Sequence, residues 1–97
     1  MESASREQIV EAFDALAADM NRLLELDFEA LTTPERLDML ERCEVLRRQL
    51  PAVEHPLINQ LADYADASEL GAKLRWALAD RLLITRGEAG RRITEAT

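Results

Sequence analysis

Apolar residues in this sequence recur at intervals of three and four, which is the spacing of one face of an α-helix. The longest stripe lies between Pro34 and Tyr64 and contains Met39, Cys43, Leu46, Leu50, Val53, Leu57, Leu61 and Tyr64. It predicts one helix over 34–64, roughly 45 Å long at about 1.5 Å per residue. A helix of that length needs other elements to cover its apolar side.

A second stripe lies nearer the N-terminus, where five large apolar residues alternate at steps of four and three: Ile9, Phe13, Leu16, Met20 and Leu23. Ser5 and Gln8 have the spacing of a capping box, in which the hydroxyl accepts from one free N–H and the amide accepts from another. These signals predict a first helix over 5–26. The acidic side chains beside this stripe are interpreted as a solvated face.

Two features bear on the predicted long helix. At its start, Thr33 is placed to cap with Pro34 in the first turn, and Thr32 with Glu35 offers an alternative capping box one residue earlier. Within it, Pro51 and the later Pro56 each remove a backbone donor. Because the apolar phase continues across both prolines, we expect a bent helix, with two helices that meet at Pro51 as the alternative.

The C-terminal region resumes helical spacing after a short polar connection, which predicts a third helix from Leu70 to Leu82 and a helix-turn-helix-like end over 70–97. Thr85 and Glu88 have capping-box spacing, so a last helix should begin there. Small Ala79 and Ala89 are placed where two crossing helices approach closely. Trp76 is interpreted as a core edge or an interface anchor, and two glycines in the last helix should weaken it by roughly 1 kcal/mol each.

Composition supports an all-α fold, because aromatic residues make up only 4% and Gly and Pro number three each. The net charge is −7 but is unevenly distributed. Residues 1–70 carry six arginines against sixteen acids, a net −10, and residues 71–97 carry six basic residues against three acids, a net +3. An acidic body with a basic C-terminal end is the asymmetry that a functional interpretation must explain.

The basic end suggests contact with double-stranded DNA. In a helix-turn-helix the second helix presents its first turn and one polar face to the major groove, and arginine suits contacts to both guanine and phosphate. The predicted contact residues are Arg81, Arg86, Arg91 and Arg92. The chain is therefore interpreted as a non-catalytic DNA-associated binding module.

The two apolar stripes suggest self-association, because the first helix is shorter than the long helix and a monomer would leave apolar surface bare. We predict a homodimer whose interface contains Phe13, Leu16, Met20, Leu46 and Leu50. This feature also supports an alternative function, an oligomerisation or protein-interaction domain with no DNA contact of its own. In that alternative the basic end packs against acidic groups such as Glu41 or Glu44, or against further C-terminal sequence.

No arrangement of residues for catalysis is evident, so no enzyme activity, cofactor, metal or small-molecule substrate is predicted. His55 is the only histidine and lies three turns from the single Cys43, so it is interpreted as a structural or surface residue, and the thiol as a buried one. No apolar run reaches about 18 residues, and Met1-Glu2-Ser3 lacks the features of a signal peptide. A cytoplasmic protein with no membrane contact is expected.

Four segments together carry a family resemblance: Leu31–Glu35, Leu46–His55, Leu57–Leu61 and Leu82–Ala89. Over roughly residues 28–97 the sequence resembles the N-terminal region of the mainly mycobacterial thirteen-E-twelve repeat family, a domain of unknown function. In that family the region usually precedes a C-terminal HNH endonuclease module. The resemblance implies a DNA-associated context such as that of a mobile element, but this sequence contains no HNH motif, so no nuclease residue is carried over.

Overall fold

The computed structural model of the protein describes residues 3–97, and its regular structure consists of helices. No strand occurs between residues 3 and 97, so the predicted all-α class is confirmed. The helices are α1 (Arg6–Leu24), α2 (Thr33–Tyr64), α3 (Ala67–Leu70), α4 (Leu74–Leu82) and α5 (Arg86–Ala96). The chain divides into two compact units, Met1–Leu37 and Asp38–Thr97. The signal-peptide prediction rests partly on Met1 and Glu2, which lie outside the described residues.

In the first unit, α1 begins at the predicted capping box. The Gln8 backbone N–H donates to the Ser5 hydroxyl at 3.1 Å, and the Ser5 N–H donates to the Gln8 side-chain oxygen at 2.8 Å. The helix ends at Leu24, two residues before the predicted end, with Glu25 as its C-cap. Every residue of α1 is exposed, so this helix is held by its caps and backbone bonds and buries no side chain.

The start of α2 follows the alternative that the sequence left open. Thr32, rather than Thr33, is the capping residue: its hydroxyl accepts from the Glu35 N–H at 3.3 Å, and its own N–H donates to the Glu35 carboxylate at 2.8 Å. The connection before it is fixed by Arg36, whose guanidinium donates to the carbonyls of Phe28 and Glu29 at 3.4 and 3.5 Å. The backbone bond to Thr32 holds the pKa of Glu35 below its ordinary value.

Helix α2 runs for 32 residues and contains both prolines in its interior. The alternative of two helices that meet at Pro51 is therefore wrong. Each proline removes one backbone donor, but helical hydrogen bonds and the apolar phase on either side continue the element. The expected bend at these positions stays a prediction.

The predicted third helix from Leu70 to Leu82 is wrong at its start. Asp66 caps a single helical turn, α3, through a capping box with Glu69, and Gly71 ends that turn in the left-handed conformation with φ of 74°. A residue with that conformation stops helical hydrogen bonding, and glycine adopts it without a Cβ penalty. The chain re-enters helix only after Lys73, so α4 begins at Leu74.

The core of the second unit brings α2, α4 and α5 together. Its buried residues are Ile58, Leu78, Ala79 and Ala89, and four partly buried apolar residues pack against them: Leu74, Ile84, Ile93 and Ala96. The two alanines predicted at a close approach are 5% and 0% exposed. Because small side chains let helices approach closely, this small core can be densely packed.

Candidate interaction surfaces

Helices α4 and α5 are joined by a three-residue turn in which Leu83 adopts the left-handed conformation, with φ of 57°. Thr85 then caps α5, and its hydroxyl accepts from the Glu88 N–H at 3.0 Å. Only half of the predicted capping box forms, because the Glu88 carboxylate bonds arginines of its own helix instead. The turn and cap position the basic side chains of this helical pair.

Arg75 of α4 crosses the first turn of α5. Its Nε donates to the Arg86 carbonyl oxygen at 2.8 Å. A Cβ atom on Gly90 would lie 2.9 Å from the Arg75 guanidinium carbon, closer than ordinary contact allows. The sequence indicated only that Gly90 weakens the last helix, and the structure shows that its missing side chain leaves room for Arg75.

Trp76 and Arg86 form a stacked pair at the same end of α5. The Arg86 guanidinium carbon lies 4.3 Å from the centre of the Trp76 ring, within the range of a cation–π interaction. The indole is about half exposed. This contact orients Arg86 while it leaves the cation at the surface.

Arg91 and Arg92 are paired with acids. Arg91 donates through Nε to Glu88 at 2.8 Å and through Nη1 to Glu95 at 2.5 Å. The Nε of Arg92 donates to Glu88 at 3.0 Å, and its Nη1 lies 3.9 Å from the Glu54 carboxylate of α2. These pairs offset most of the positive charge that the sequence assigned to the face of α5.

The same contacts shift the pKa values of Glu88 and Arg91. Hydrogen bonds from Arg91 and Arg92 lower the pKa of Glu88 to about 2, and Glu88 and Glu95 raise the pKa of the Arg91 guanidinium. Because these groups face solvent, added salt should screen the network. The C-terminal end of α5 has a further contact, since the Asn59 side-chain amide of α2 donates to the Ala96 carbonyl at 2.8 Å.

The four predicted DNA-contact residues thus have different surroundings in the structure. Arg81 is exposed and has no ion pair within residues 3–97. Arg86 is stacked, and the other two are paired with acids. The sequence did not indicate the role of Arg75. The pairing of Glu88 with the residues three and four positions later was not predicted either, although helical spacing could have revealed it.

The five predicted dimer-interface residues are each between 47% and 54% exposed. They lie on the stripes that the sequence identified, on α1 and on α2. Glu44, one of the acids expected to pair with the basic end, instead contacts Arg47 and Arg48 of its own helix. The acid that the basic end contacts on α2 is Glu54.

Histidine, cysteine and carboxylate side chains, which could form a catalytic or metal site, do not cluster in the described part of the chain. His55 is half-buried beside an open cleft of about 460 Å³ whose walls carry both signs of charge: Arg47, Leu50, Pro51, Glu54, His55, Ile58, Arg91, Arg92 and Glu95. Cys43 is exposed, which corrects the expectation of a buried thiol. The part of the chain that the structure describes holds no cluster of three metal-ligating side chains, and none of its helices has the length and apolarity to span a membrane.

These features define a small all-α domain whose C-terminal helices are packed together and whose longer helices display apolar faces. The chain belongs to the family described as a domain of unknown function, DUF222, whose sequence profile matches residues 37–97. That description names no reaction. The family assignment agrees with the mycobacterial resemblance seen in the sequence.

Similar proteins occur in Mycobacterium tuberculosis. The uncharacterized protein Rv0095c is 61% identical over 92 residues, which cover 95% of this chain and 94% of that protein. Rv3466 is 60% identical over 96 residues, 99% of this chain and 43% of that protein. Rv1128c is 59% identical over 93 residues, 96% of this chain and 21% of that protein. The chain thus spans about a fifth of the length of the first relatives it matches, and no solved structure matches it.

Proposed function

We propose that this domain is an oligomerisation and protein-interaction module that assembles helical chains through the apolar faces of α1 and α2. The exposure of these faces is the observation that carries the proposal. Sixteen large apolar side chains of these two helices between Ile9 and Leu61 are at least 36% exposed. Such an extended apolar surface is a marker of an interaction site, because water solvates it poorly.

The pairing of the basic end supports the same proposal. Glu88, Glu95 and Glu54 engage Arg91 and Arg92, so these arginines already have acidic partners in the folded domain. A phosphate would have to displace those carboxylates to contact them. The alternative predicted from the sequence, an oligomerisation or protein-interaction domain with no DNA contact of its own, therefore fits this surface better than DNA contact does.

In the longer relatives, we place this module beside further domains that it would bring together. The resemblance to the thirteen-E-twelve repeat family implies that an HNH endonuclease is one such neighbour. Under this proposal the module itself has no catalytic role and supplies assembly, in a cytoplasmic and DNA-associated setting.

The test is light scattering coupled to size-exclusion chromatography over about 5–200 μM chain, with Leu46→Glu as the variant and Ala52→Glu as its matched control. Both substitutions add one charge to an exposed position of α2, but only Leu46 lies on the apolar stripe. We expect a mass above 11.0 kDa that rises with concentration and that is lower in Leu46→Glu than in Ala52→Glu at the same concentration. A monomer mass at every concentration would contradict the proposal.

DNA contact is a second candidate, favoured by one observation. Arg81 has no acidic partner among the described residues, and Arg86 is held at the surface by Trp76. Together they leave two cations at the turn of a helical pair, where a helix-turn-helix would contact phosphates.

Fluorescence anisotropy with a random-sequence duplex at about 50 and 200 mM salt distinguishes the two candidates. If DNA is bound, replacing Arg81 and Arg86 by Ala should weaken binding and reduce its salt dependence, because each lost phosphate contact lowers the salt slope by about one. Replacing Arg91 and Arg92 should have the smaller effect. Absence of binding by the folded chain at both salt concentrations would exclude this candidate.

A further inference from the structure

We propose that α1 pairs with α1 of a second copy of this chain, in an antiparallel arrangement centred between Phe13 and Leu16. This inference rests on the proposed function and specifies its partner and geometry. It depends on three features of α1: the spacing of its apolar residues, the positions of its charges and the surface that it offers.

The apolar residues of α1 follow a heptad repeat, abcdefg. Phe13 and Met20 occupy a positions, and three residues occupy d positions: Ile9, Leu16 and Leu23. A seam of alternating four- and three-residue steps packs well against another helix with the same spacing. In an antiparallel pair, Phe13 of one copy lies level with Leu16 of the other, and Ile9 with Met20, so the seam is complementary to itself.

The positions that flank this seam are nearly uncharged. In a helical pair the e and g positions lie beside the seam, and here they contain Val10, Ala12, Ala17, Asp19 and Leu24. The other acids of α1 fall at the b and f positions, which face away from a partner. Two acidic helices can therefore approach without placing carboxylates opposite each other.

Charge also selects the antiparallel direction. The first half of α1 carries Glu7, Glu11 and Asp14 against Arg6, and the second half carries Asp19 against Arg22. A parallel pair would place the two acidic halves side by side, whereas an antiparallel pair places each beside a neutral half. Antiparallel packing also aligns the helix dipoles favourably.

The surface offered by α1 is suited to a partner of this size. Seven large apolar side chains on its seam and the adjoining e positions are between 43% and 75% exposed. They present on the order of 600 Å² per copy, against the roughly 800 Å² per partner of a standard-size interface. A second α1 would thus cover the seam, and the e positions would extend the contact.

Distances between spin labels test the arrangement. Gln8, Ala15 and Arg22 all occupy the c position and are exposed, so each can carry a nitroxide on an introduced cysteine in a Cys43→Ser background. In an antiparallel pair the two copies of a label are offset along the axis by about 20 Å at position 8, about 2 Å at 15 and about 22 Å at 22, from the rise per residue. A parallel pair gives no axial offset at any of them.

We expect the shortest label-to-label distance at Ala15 and distances longer by about 5–10 Å at the other two positions. Leu16→Glu should weaken self-association by about tenfold or more, and Ala18→Glu, on the outer face of the same helix, should not. Three equal distances, or no dipolar signal in a sample with the mass of a dimer, would overturn the inference and leave the proposed function standing. A monomer mass at every concentration would contradict the proposed function itself.

Discussion

Helix α1 and the α4–α5 pair have similar helical spacing of apolar residues but differ in what those residues contact. In the pair, Ala79 and Ala89 are buried and larger apolar residues close around them. In α1 no residue is buried, although its stripe is longer and more regular. The difference shows that apolar spacing identifies a contact face, whereas only complementary side chains on another helix determine whether that face is covered within the chain.

The packed core of the pair should tolerate added volume least. Ala89→Leu places a large side chain where the native one is 0% exposed, and overpacking of this kind typically costs about 1–3 kcal/mol. The expected result is a lower free energy of unfolding, measured by urea denaturation followed by circular dichroism. Ala15→Leu is the matched control, because it adds the same volume at an exposed position of α1 and should leave stability nearly unchanged. An equal loss in both variants would remove the contrast between the two regions.

The bond from Asn59 to the last carbonyl of α5 should have the next largest effect. Asn59→Ala removes a partly buried donor to the Ala96 carbonyl, and a hydrogen bond of this kind contributes about 0.5–1.5 kcal/mol. Amide hydrogen exchange should be faster over Arg86–Ala96 and unchanged over α1. Gln60→Ala, at the exposed neighbouring position, serves as the control, and equal exchange in the two variants would show that the bond does not hold α5.

Alanine substitutions at the two glycines of α5 distinguish the effect of helix propensity on stability from the effect of packing. A Cβ on Gly87 meets only the Thr85 hydroxyl, at 3.8 Å, so Gly87→Ala should stabilise the helix by up to about 1 kcal/mol. Gly90→Ala gains the same propensity but displaces the Arg75 guanidinium, so we expect a smaller gain. Thermal unfolding measures both variants. A larger gain for Gly90→Ala would indicate that the contact with Arg75 has no value to the fold.

Loss of the Glu88 ion pairs of α5 at acidic pH should have the smallest effect on stability, and the direction of that effect is defined. Because the folded-state pKa of Glu88 lies near 2, below its ordinary value of 4.5, its contribution to stability is complete above pH 4.5 and is lost as pH falls toward 2. The unfolding midpoint of the native chain should therefore approach that of Glu88→Gln over this interval. A difference between the two chains that stays constant from pH 7 to 2.5 would show that Glu88 is not responsible.

Features that depend on neighbouring residues or on residue size could be predicted from the sequence. Ser5 with Gln8 located the start of α1, and the small Ala79 and Ala89 indicated a close approach of helices, because caps and residue size are local properties. The sequence misplaced the start of α4, because the left-handed Gly71 ends α3 while the apolar phase continues. It did not show that Arg91 and Arg92 pair with carboxylates of the same domain, since net charge does not indicate which carboxylates a helix brings within reach.

Amide hydrogen exchange on the full chain at about 5 and 200 μM tests the central claim most directly, namely that α4 and α5 are packed within one chain whereas α1 is completed by a partner. We predict protection over Leu74–Leu82 and Arg86–Ala96 that does not depend on concentration, and protection over Arg6–Leu24 that rises with concentration as the isolated helix becomes covered. Equal protection of α1 at both concentrations in a chain that remains monomeric would contradict this account.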